Sequence, residues 1–229
     1  FAMLDTHYYG GIKKYQWVTL PLALHGVIAK KDGSVVKVSI GDKPGDPVFG
    51  VSDLLIHLSG EQLEKKGAKV IEGENLDLLV GSIPAEEKED SDEKIKEKVK
   101  ANIMNLLEKE YGIEEEDFLS AEIEVVPAGE ARDYGFDRSM IMGYGHDDRV
   151  CAYPSYKAIA EMKDPEYTSV CLLVDKEEIG SVGASGMESR FFENTVAEVM
   201  NAAGDYSELK LRRALKNSRV LSSDVSAAF

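Results

Sequence analysis

The chain has 229 residues, is 43% hydrophobic and carries a formal net charge of −15 at pH 7. This length suits one large domain or two small ones, and the negative charge disfavours nucleic acid and anionic membranes as partners. No apolar run approaches membrane-spanning length, no signal peptide is recognisable, and the two cysteines form no disulfide framework, so a cytoplasmic location is expected.

The first half of the chain is predicted to be mainly β-structure. Residues 1–22 indicate a structured loop, and residues 22–30 and 34–40 predict a hairpin because apolar residues alternate on both sides of Asp32-Gly33. Residues 82–94 are mostly acidic and predict an exposed linker. A helix is predicted from Asp92 to about Glu110, because its apolar residues fall on one stripe, with Gly112 as its C-cap.

The second half alternates predicted strands and helices. In chain order these are a strand at 119–126, a helix at 147–162, a strand at 169–174, a helix at 187–203, a basic helix at 207–217 and a short strand at 219–221. Such alternation is the signature of an α/β domain. Residues 23–127 have their own hairpin and helix, and we interpret them as a module inserted into that domain.

Acidic residues stand at predicted strand ends or turns at three places in this α/β half. They are Asp147-Asp148, Glu177-Glu178 and Asp224. Ligands bind at the carboxyl ends of strands in open α/β sheets, and converging carboxylates favour zinc, manganese or magnesium. Each site taken alone is more typical of a solvated turn than of a metal site, since the chain has 42 acidic residues.

A second interpretation concerns the glycines of the loop at 180–186. They could cradle a phosphate, but the loop lacks the Lys-Ser/Thr ending of a P-loop and the spacing of a dinucleotide fingerprint. A metal centre is therefore the favoured interpretation of this part of the sequence.

Four segments carry a resemblance to a known family, and they stand in the family's order. They are His7-Tyr8-Tyr9-Gly10-Gly11, Gly145-His146-Asp147-Asp148-Arg149-Val150-Cys151, Asp175-Lys176-Glu177-Glu178-Ile179-Gly180-Ser181 and Ser223-Asp224. The chain resembles the aminopeptidase I/aspartyl aminopeptidase family of zinc peptidases over essentially its whole length.

The resemblance implies a three-layer α/β/α zinc-peptidase catalytic domain interrupted by a β-rich dimerisation domain. Residues 1–22 and 128–229 would then belong to the catalytic domain, and residues 23–127 would form the dimerisation domain. It also implies a homodimer that builds a dodecamer, peptides as substrates, and two zinc ions, with cobalt or manganese as possible replacements.

The resemblance also assigns roles to individual residues. The Asp147 carboxylate would bridge the two metals, and the peptide bond from Asp147 to Asp148 would be cis. Glu178 would bind one metal and Asp224 the other. Glu177 would act as the general base, taking a proton from the attacking water and passing it to the leaving amine.

His57 lies in an Ile-His-Leu segment that the family places in its dimerisation domain. The resemblance implies that this histidine reaches the active site of the partner subunit. From the residues alone, the alternative is a partly buried histidine on an apolar helix face.

The chain departs from the family pattern in its histidines. The family's centre needs one histidine in a His-x-Asp motif before the Tyr-Gly-Gly segment and another beyond Ser-Asp, and His7, His25, His57 and His146 occupy neither position. His146 as a substitute ligand is disfavoured, because neighbouring side chains rarely converge on one ion. We therefore expect the sequence to be truncated at both ends and this piece alone to be inactive.

The favoured function is a metalloaminopeptidase that removes N-terminal amino acids from peptides. One alternative is a non-catalytic oligomerisation or scaffold fragment of such an enzyme. Another is a different dimetal amide hydrolase on the same scaffold, such as a deacylase.

Overall fold

The computed structural model describes residues 1–86 and 96–226, and it divides the chain into two compact units, Phe1–Met142 and Gly143–Phe229. Most of the predicted acidic linker and the start of the predicted helix at 92–110 lie outside the described residues. The strands of the first unit are β1 (Ala2–Leu4), β2 (Leu22–Ala29), β3 (Val35–Ile40), β4 (Gly50–Val51), β5 (Leu78–Gly81), β6 (Ala121–Pro127), β7 (Arg132–Tyr134) and β8 (Met140–Met142). Its helices are α1 (Lys14–Trp17), α2 (Gly60–Leu63) and α3 (Lys98–Tyr111).

The predicted hairpin is confirmed as β2 and β3, which pair antiparallel with Val27 opposite Lys37. Its turn is closed by hydrogen bonds from the Ser34 hydroxyl and Ser34 N–H to Asp32 Oδ1, at 2.6 and 2.9 Å. These two hydrogen bonds lower the pKa of the Asp32 carboxyl, because they stabilise its charged form. Gly33 has a φ of 85°, a left-handed conformation that glycine adopts without strain.

The core of the first unit lies against two antiparallel sheets, one ordered β3-β2-β6 and the other β1-β5-β4. Leu22, Ile28 and Leu78 are fully buried in it. Helix α3 ends at Gly112, whose φ of 65° allows its N–H to donate to Glu108 O at 2.9 Å, so the predicted C-cap is confirmed. The next residue, Ile113, is buried in the core cluster.

The second unit contains the helices α4 (His146–Ala160), α5 (Phe191–Ala202) and α6 (Glu208–Asn217). The helices predicted at 147–162, 187–203 and 207–217 are thus confirmed with small shifts of their ends. Ser207 caps α6, since its hydroxyl oxygen accepts the Lys210 N–H at 3.2 Å.

The strand predictions at 169–174 and 219–221 were wrong for this structure. Both segments form neither helix nor strand, and the described residues 143–226 contain no strand. Val170 and Leu173 are 59% and 60% exposed. An apolar run shows only that a segment suits burial, whereas a strand also needs a neighbouring strand to pair its backbone groups.

The chain is a mixed α/β protein, as predicted, with small sheets in the first unit and helices in the second. The division into catalytic residues 1–22 and 128–229 and dimerisation residues 23–127 stays a prediction. Within the described residues, no helix combines the length and the apolar character that crossing a membrane requires.

Candidate metal centre

Three carboxylates meet in the second unit. Asp147, Asp148 and Asp224 each offer one oxygen atom, and these oxygens lie within 4.8 Å of one another. Asp147 and Asp148 lie at a kink near the start of α4, where their φ and ψ angles are not helical, and the peptide bond between them is cis, the geometry that the resemblance implied. Asp224 lies after α6, in residues 218–226, which form neither helix nor strand. The structure therefore brings the predicted Asp147 and Asp224 together and adds the Asp148 carboxylate, for which no ligand role was expected.

The chemistry of this group fits a divalent cation. Three carboxylates at such distances repel one another unless a positive charge lies between them. In addition, Asp148 Oδ1 is buried and accepts no hydrogen bond from the described part of the chain. A buried oxygen without a donor costs free energy, and a cation would remove that cost. Carboxylate oxygens are accepted by zinc, although zinc favours nitrogen and sulfur ligands more strongly.

Cys151 lies on α4, three residues after Asp148, and is half-buried. The Ser223 hydrogen bond lowers the pKa of the Cys151 thiol, but the hydrogen bond to Asp148, desolvation and the negative charges of Asp148 and Asp224 outweigh it and raise that pKa. In the sequence, Cys151 is the last residue of the second segment that carries the resemblance, and it was given no role of its own.

Glu177 and Glu178 lie on a short 3₁₀ turn, Glu177–Ile179, and both are exposed. The turn is bounded by Lys176 and Gly180, with φ values of 68° and 88°. The group of three aspartates does not include either glutamate. The roles of Glu178 as a metal ligand and Glu177 as the general base therefore stay predictions.

The glycine-rich loop after this turn uses its backbone donors internally. Gly180 N–H donates to Glu177 O at 2.9 Å, and Ser181 N–H donates to Lys176 O at 2.8 Å. Gly186 is buried against the backbone of the same loop, where a Cβ atom would lie 2.7 Å from Val182 O. These two N–H groups are committed to the fold of the loop and are therefore not available to a phosphate.

The two histidines considered in the sequence lie outside the carboxylate group. His57 belongs to the first unit, on the 3₁₀ turn Ile56–Leu58, and it is exposed. The alternative of a partly buried histidine was therefore wrong. Ile56 and Leu58, on either side of it, are 66% and 67% exposed, so an apolar surface surrounds the imidazole. His146 begins α4, but the carboxylate group in the described residues does not include it.

Comparison with known proteins gives a consistent result along the whole chain. The family model described as aminopeptidase I zinc metalloprotease (M18) matches residues 1–229. A probable M18 family aminopeptidase 1 of Clostridium acetobutylicum is 67% identical over 228 residues, which cover 100% of this chain and 48% of that protein. The chain therefore spans about half the length of the curated relatives it matches.

Solved structures match at the level of the fold as well. The crystal structure of aminopeptidase I from Clostridium acetobutylicum has a TM-score of 0.80 at 64% identity, and the match covers 99% of this chain and 48% of that one. An M18 family aminopeptidase from Thermotoga maritima has a TM-score of 0.82 at 44% identity, with the same coverage. A more distant yeast protein, mApe1, is described as a dodecamer; it is 20% identical, has a TM-score of 0.61, and is matched over 99% of this chain and 49% of its own.

Proposed function

Because the chain belongs to the aminopeptidase I zinc metalloprotease (M18) family, we propose that the protein is a zinc-dependent aminopeptidase that removes N-terminal residues from peptides. The observation that carries this proposal is the group of Asp147, Asp148 and Asp224, whose oxygens lie within 4.8 Å of one another. Three converging carboxylates and a buried oxygen without a donor favour a metal-dependent enzyme over a non-catalytic assembly module.

The proposed centre takes two zinc ions, with cobalt or manganese as possible replacements. Asp147 would bridge the ions, while Glu178 and Asp224 would each bind one. When bound, zinc lowers the pKa of the attacking water and polarises the scissile carbonyl. The carboxylate oxygens of Asp147 and Asp224 support this assignment, since carboxylates are common ligands of such ions.

Glu177 is proposed as the general base. It would accept a proton from the attacking water and pass that proton to the leaving amine. Its place on a turn fixed by two backbone hydrogen bonds supports the role, because a base must be held in a defined position. Its side chain is exposed in this chain, which leaves the carboxylate accessible to a substrate.

We further propose that the protein works as a homo-oligomer, a homodimer that builds a dodecamer like the yeast protein. Residues 23–127 would form the dimerisation domain, and His57 would reach the partner subunit's active site to contact substrate. The exposed apolar surface around His57 supports this, because Ile56 and Leu58 would be covered by a partner. The proposed location is cytoplasmic, with neither nucleic acid nor membrane as a partner.

The test uses the intact protein with aminoacyl chromogenic substrates. Metal removal by a chelator should abolish release of the chromophore, and added zinc should restore it. Glu177→Gln should lower kcat by about 10²–10⁴-fold with unchanged zinc content, because it removes the base and keeps the shape. Glu198→Gln, at an exposed position on α5, is the matched control and should keep full activity. Full activity after metal removal, or in Glu177→Gln, would overturn the proposal.

A further inference from the structure

A largely buried lysine stands directly before the Glu177–Ile179 turn. The Lys176 side chain is 15% exposed, although the side chain of Asp175 beside it is 67% exposed. The apolar residues just before them, Leu173 and Val174, are also on the surface. A lysine that is buried where its apolar neighbours are exposed is unusual, because an ammonium group loses hydration when it is buried. This inversion indicates that specific contacts hold the Lys176 side chain in place.

Asp175 binds Lys176 at two points. Its Oδ1 accepts a hydrogen bond from Lys176 N–H at 2.8 Å, and its Oδ2 lies 3.2 Å from Lys176 Nζ. Between these two points the aliphatic part of the side chain lies beside Gly183, where an added Cβ atom would be 3.6 Å from Lys176 Cγ. The lysine side chain therefore contacts both the residue before the turn and the glycine-rich loop after it.

The backbone of Lys176 sets the direction in which the turn begins. Its φ of 68° and ψ of 16° are left-handed, a conformation that residues other than glycine keep only where their surroundings compensate for the strain. Its carbonyl oxygen accepts hydrogen bonds from Ser181 N–H at 2.8 Å and from Ile179 N–H at 3.3 Å. The N–H, the carbonyl and the ammonium of this one residue are thus all bonded, and Glu177 is the next residue in the chain.

We propose that Lys176 is a positioning residue for Glu177: its buried side chain, bound by Asp175, stabilises the left-handed backbone from which the turn directs the Glu177 carboxylate. The proposal rests on the proposed function, because it takes Glu177 to be the general base. It gives Lys176 no contact with substrate or metal. A reacting group that is misplaced by about 1 Å can lose about 100-fold in rate. A loosely held turn should therefore lower kcat and leave substrate binding in place.

Hydrolysis of aminoacyl chromogenic substrates by the intact, zinc-saturated protein tests this role. Lys176→Met keeps the length of the side chain and removes its charge, so kcat should fall by about 10–100-fold while KM stays near the wild-type value. Lys176→Arg keeps the charge and should recover most of the activity. Lys163→Met, at an exposed lysine of the same unit, is the matched control and should have the wild-type kcat.

Stability and hydrogen exchange separate positioning from a general structural role. Because Asp175 is exposed, Lys176→Met leaves no charge buried without a partner and should melt near the wild-type temperature. The Ile179 and Ser181 amides, which donate to Lys176 O, should exchange faster in this variant. Asp175→Ala should have the same effects on kcat and exchange, and the double variant should lose little more, because both changes break one contact. Asp175→Ala also keeps the test open if Lys176→Met fails to fold.

The opposite results are equally plain. Wild-type kcat in Lys176→Met, or equal losses in Lys176→Met and Lys176→Arg, would overturn the proposal. A melting temperature that falls in step with kcat would overturn it too, because it would give Lys176 a general structural role. If the wild type binds zinc but releases no amino acids from peptides, the proposed function fails. Exchange at the Ile179 and Ser181 amides then still decides whether Lys176 holds the turn, and unchanged exchange in Lys176→Met would show that it does not.

Discussion

Gly186→Ala should disturb the loop that follows the Glu177–Ile179 turn. Gly186 is buried, and a Cβ atom at this position would lie 2.7 Å from Val182 O and 2.8 Å from the Ser181 carbonyl carbon, with Ser181 O closer still. All three atoms are backbone, so the strain is not relieved by a change of side-chain rotamer. The loop must open, as when extra atoms are forced into a packed interior, which costs about 1–3 kcal/mol.

Opening the loop also breaks hydrogen bonds that depend on its closed shape. Glu188 N–H donates to Ser181 O at 3.3 Å, and Ser189 N–H donates to Gly186 O at 3.0 Å. Each lost bond costs about 0.5–1.5 kcal/mol, so together with the strain we expect a total loss of about 2–6 kcal/mol. Because Ser181 N–H also donates to Lys176 O, the shift of the loop backbone should reach Glu177 and lower kcat.

The assay combines urea unfolding of the intact protein with hydrogen exchange at the Ser181 and Glu188 amides. Exchange at both amides should accelerate in Gly186→Ala. Gly67→Ala is the matched control, since a Cβ atom there meets nothing within 4 Å, and it should leave stability and exchange unchanged. Wild-type stability together with wild-type exchange in Gly186→Ala would refute the reasoning.

Two other changes probe the first unit. Gly26→Ala would place a Cβ atom 2.8 Å from the Cα of Ile123 on β6 and closer still to Glu122 O. The β2–β6 pairing should therefore weaken, and the free energy of unfolding should fall by about 1–3 kcal/mol. An unchanged midpoint of urea unfolding would contradict this. Asp46→Asn removes a carboxylate whose pKa is lowered by hydrogen bonds from the Gly41 and Lys43 N–H groups. Its folded pKa lies below the usual value of 3.8, so its stabilising contribution is present above that pH and is lost as the pH falls through the folded pKa. Thermal melts should therefore show wild type and Asp46→Asn differing at neutral pH and converging in acid; a constant gap would contradict the assignment.

Local sequence signals predicted the local structure well. The hairpin followed from alternation around Asp32-Gly33, and the end of α3 followed from Gly112, because both depend on residues within a few positions. The strand at 169–174 could not be judged in the same way, since its backbone needs a partner from elsewhere in the chain. Hydrophobicity alone did not show whether that partner was present.

The candidate site shows the same limit. The motif around Asp147 and Asp224 predicted that these carboxylates would meet, and they do. Asp148 stood among the acidic residues noted in the sequence, but the resemblance gave it no ligand role, because its place in the group depends on which side chains face one another after folding. For His57, the apolar neighbours suggested burial, yet the 3₁₀ turn presents them to the surface. An amphipathic pattern does not reveal whether its apolar side faces a core or another molecule.

The most direct test of the metal centre is the zinc content of the intact protein and of Asp147→Ala, measured by elemental analysis alongside peptide hydrolysis. The wild type should retain zinc through dialysis, and Asp147→Ala should lose zinc and hydrolysis together. Asp164→Asn, at an exposed aspartate of the same unit, should keep both. Full zinc content and full hydrolysis in Asp147→Ala would contradict the assignment of this carboxylate group as the catalytic metal centre.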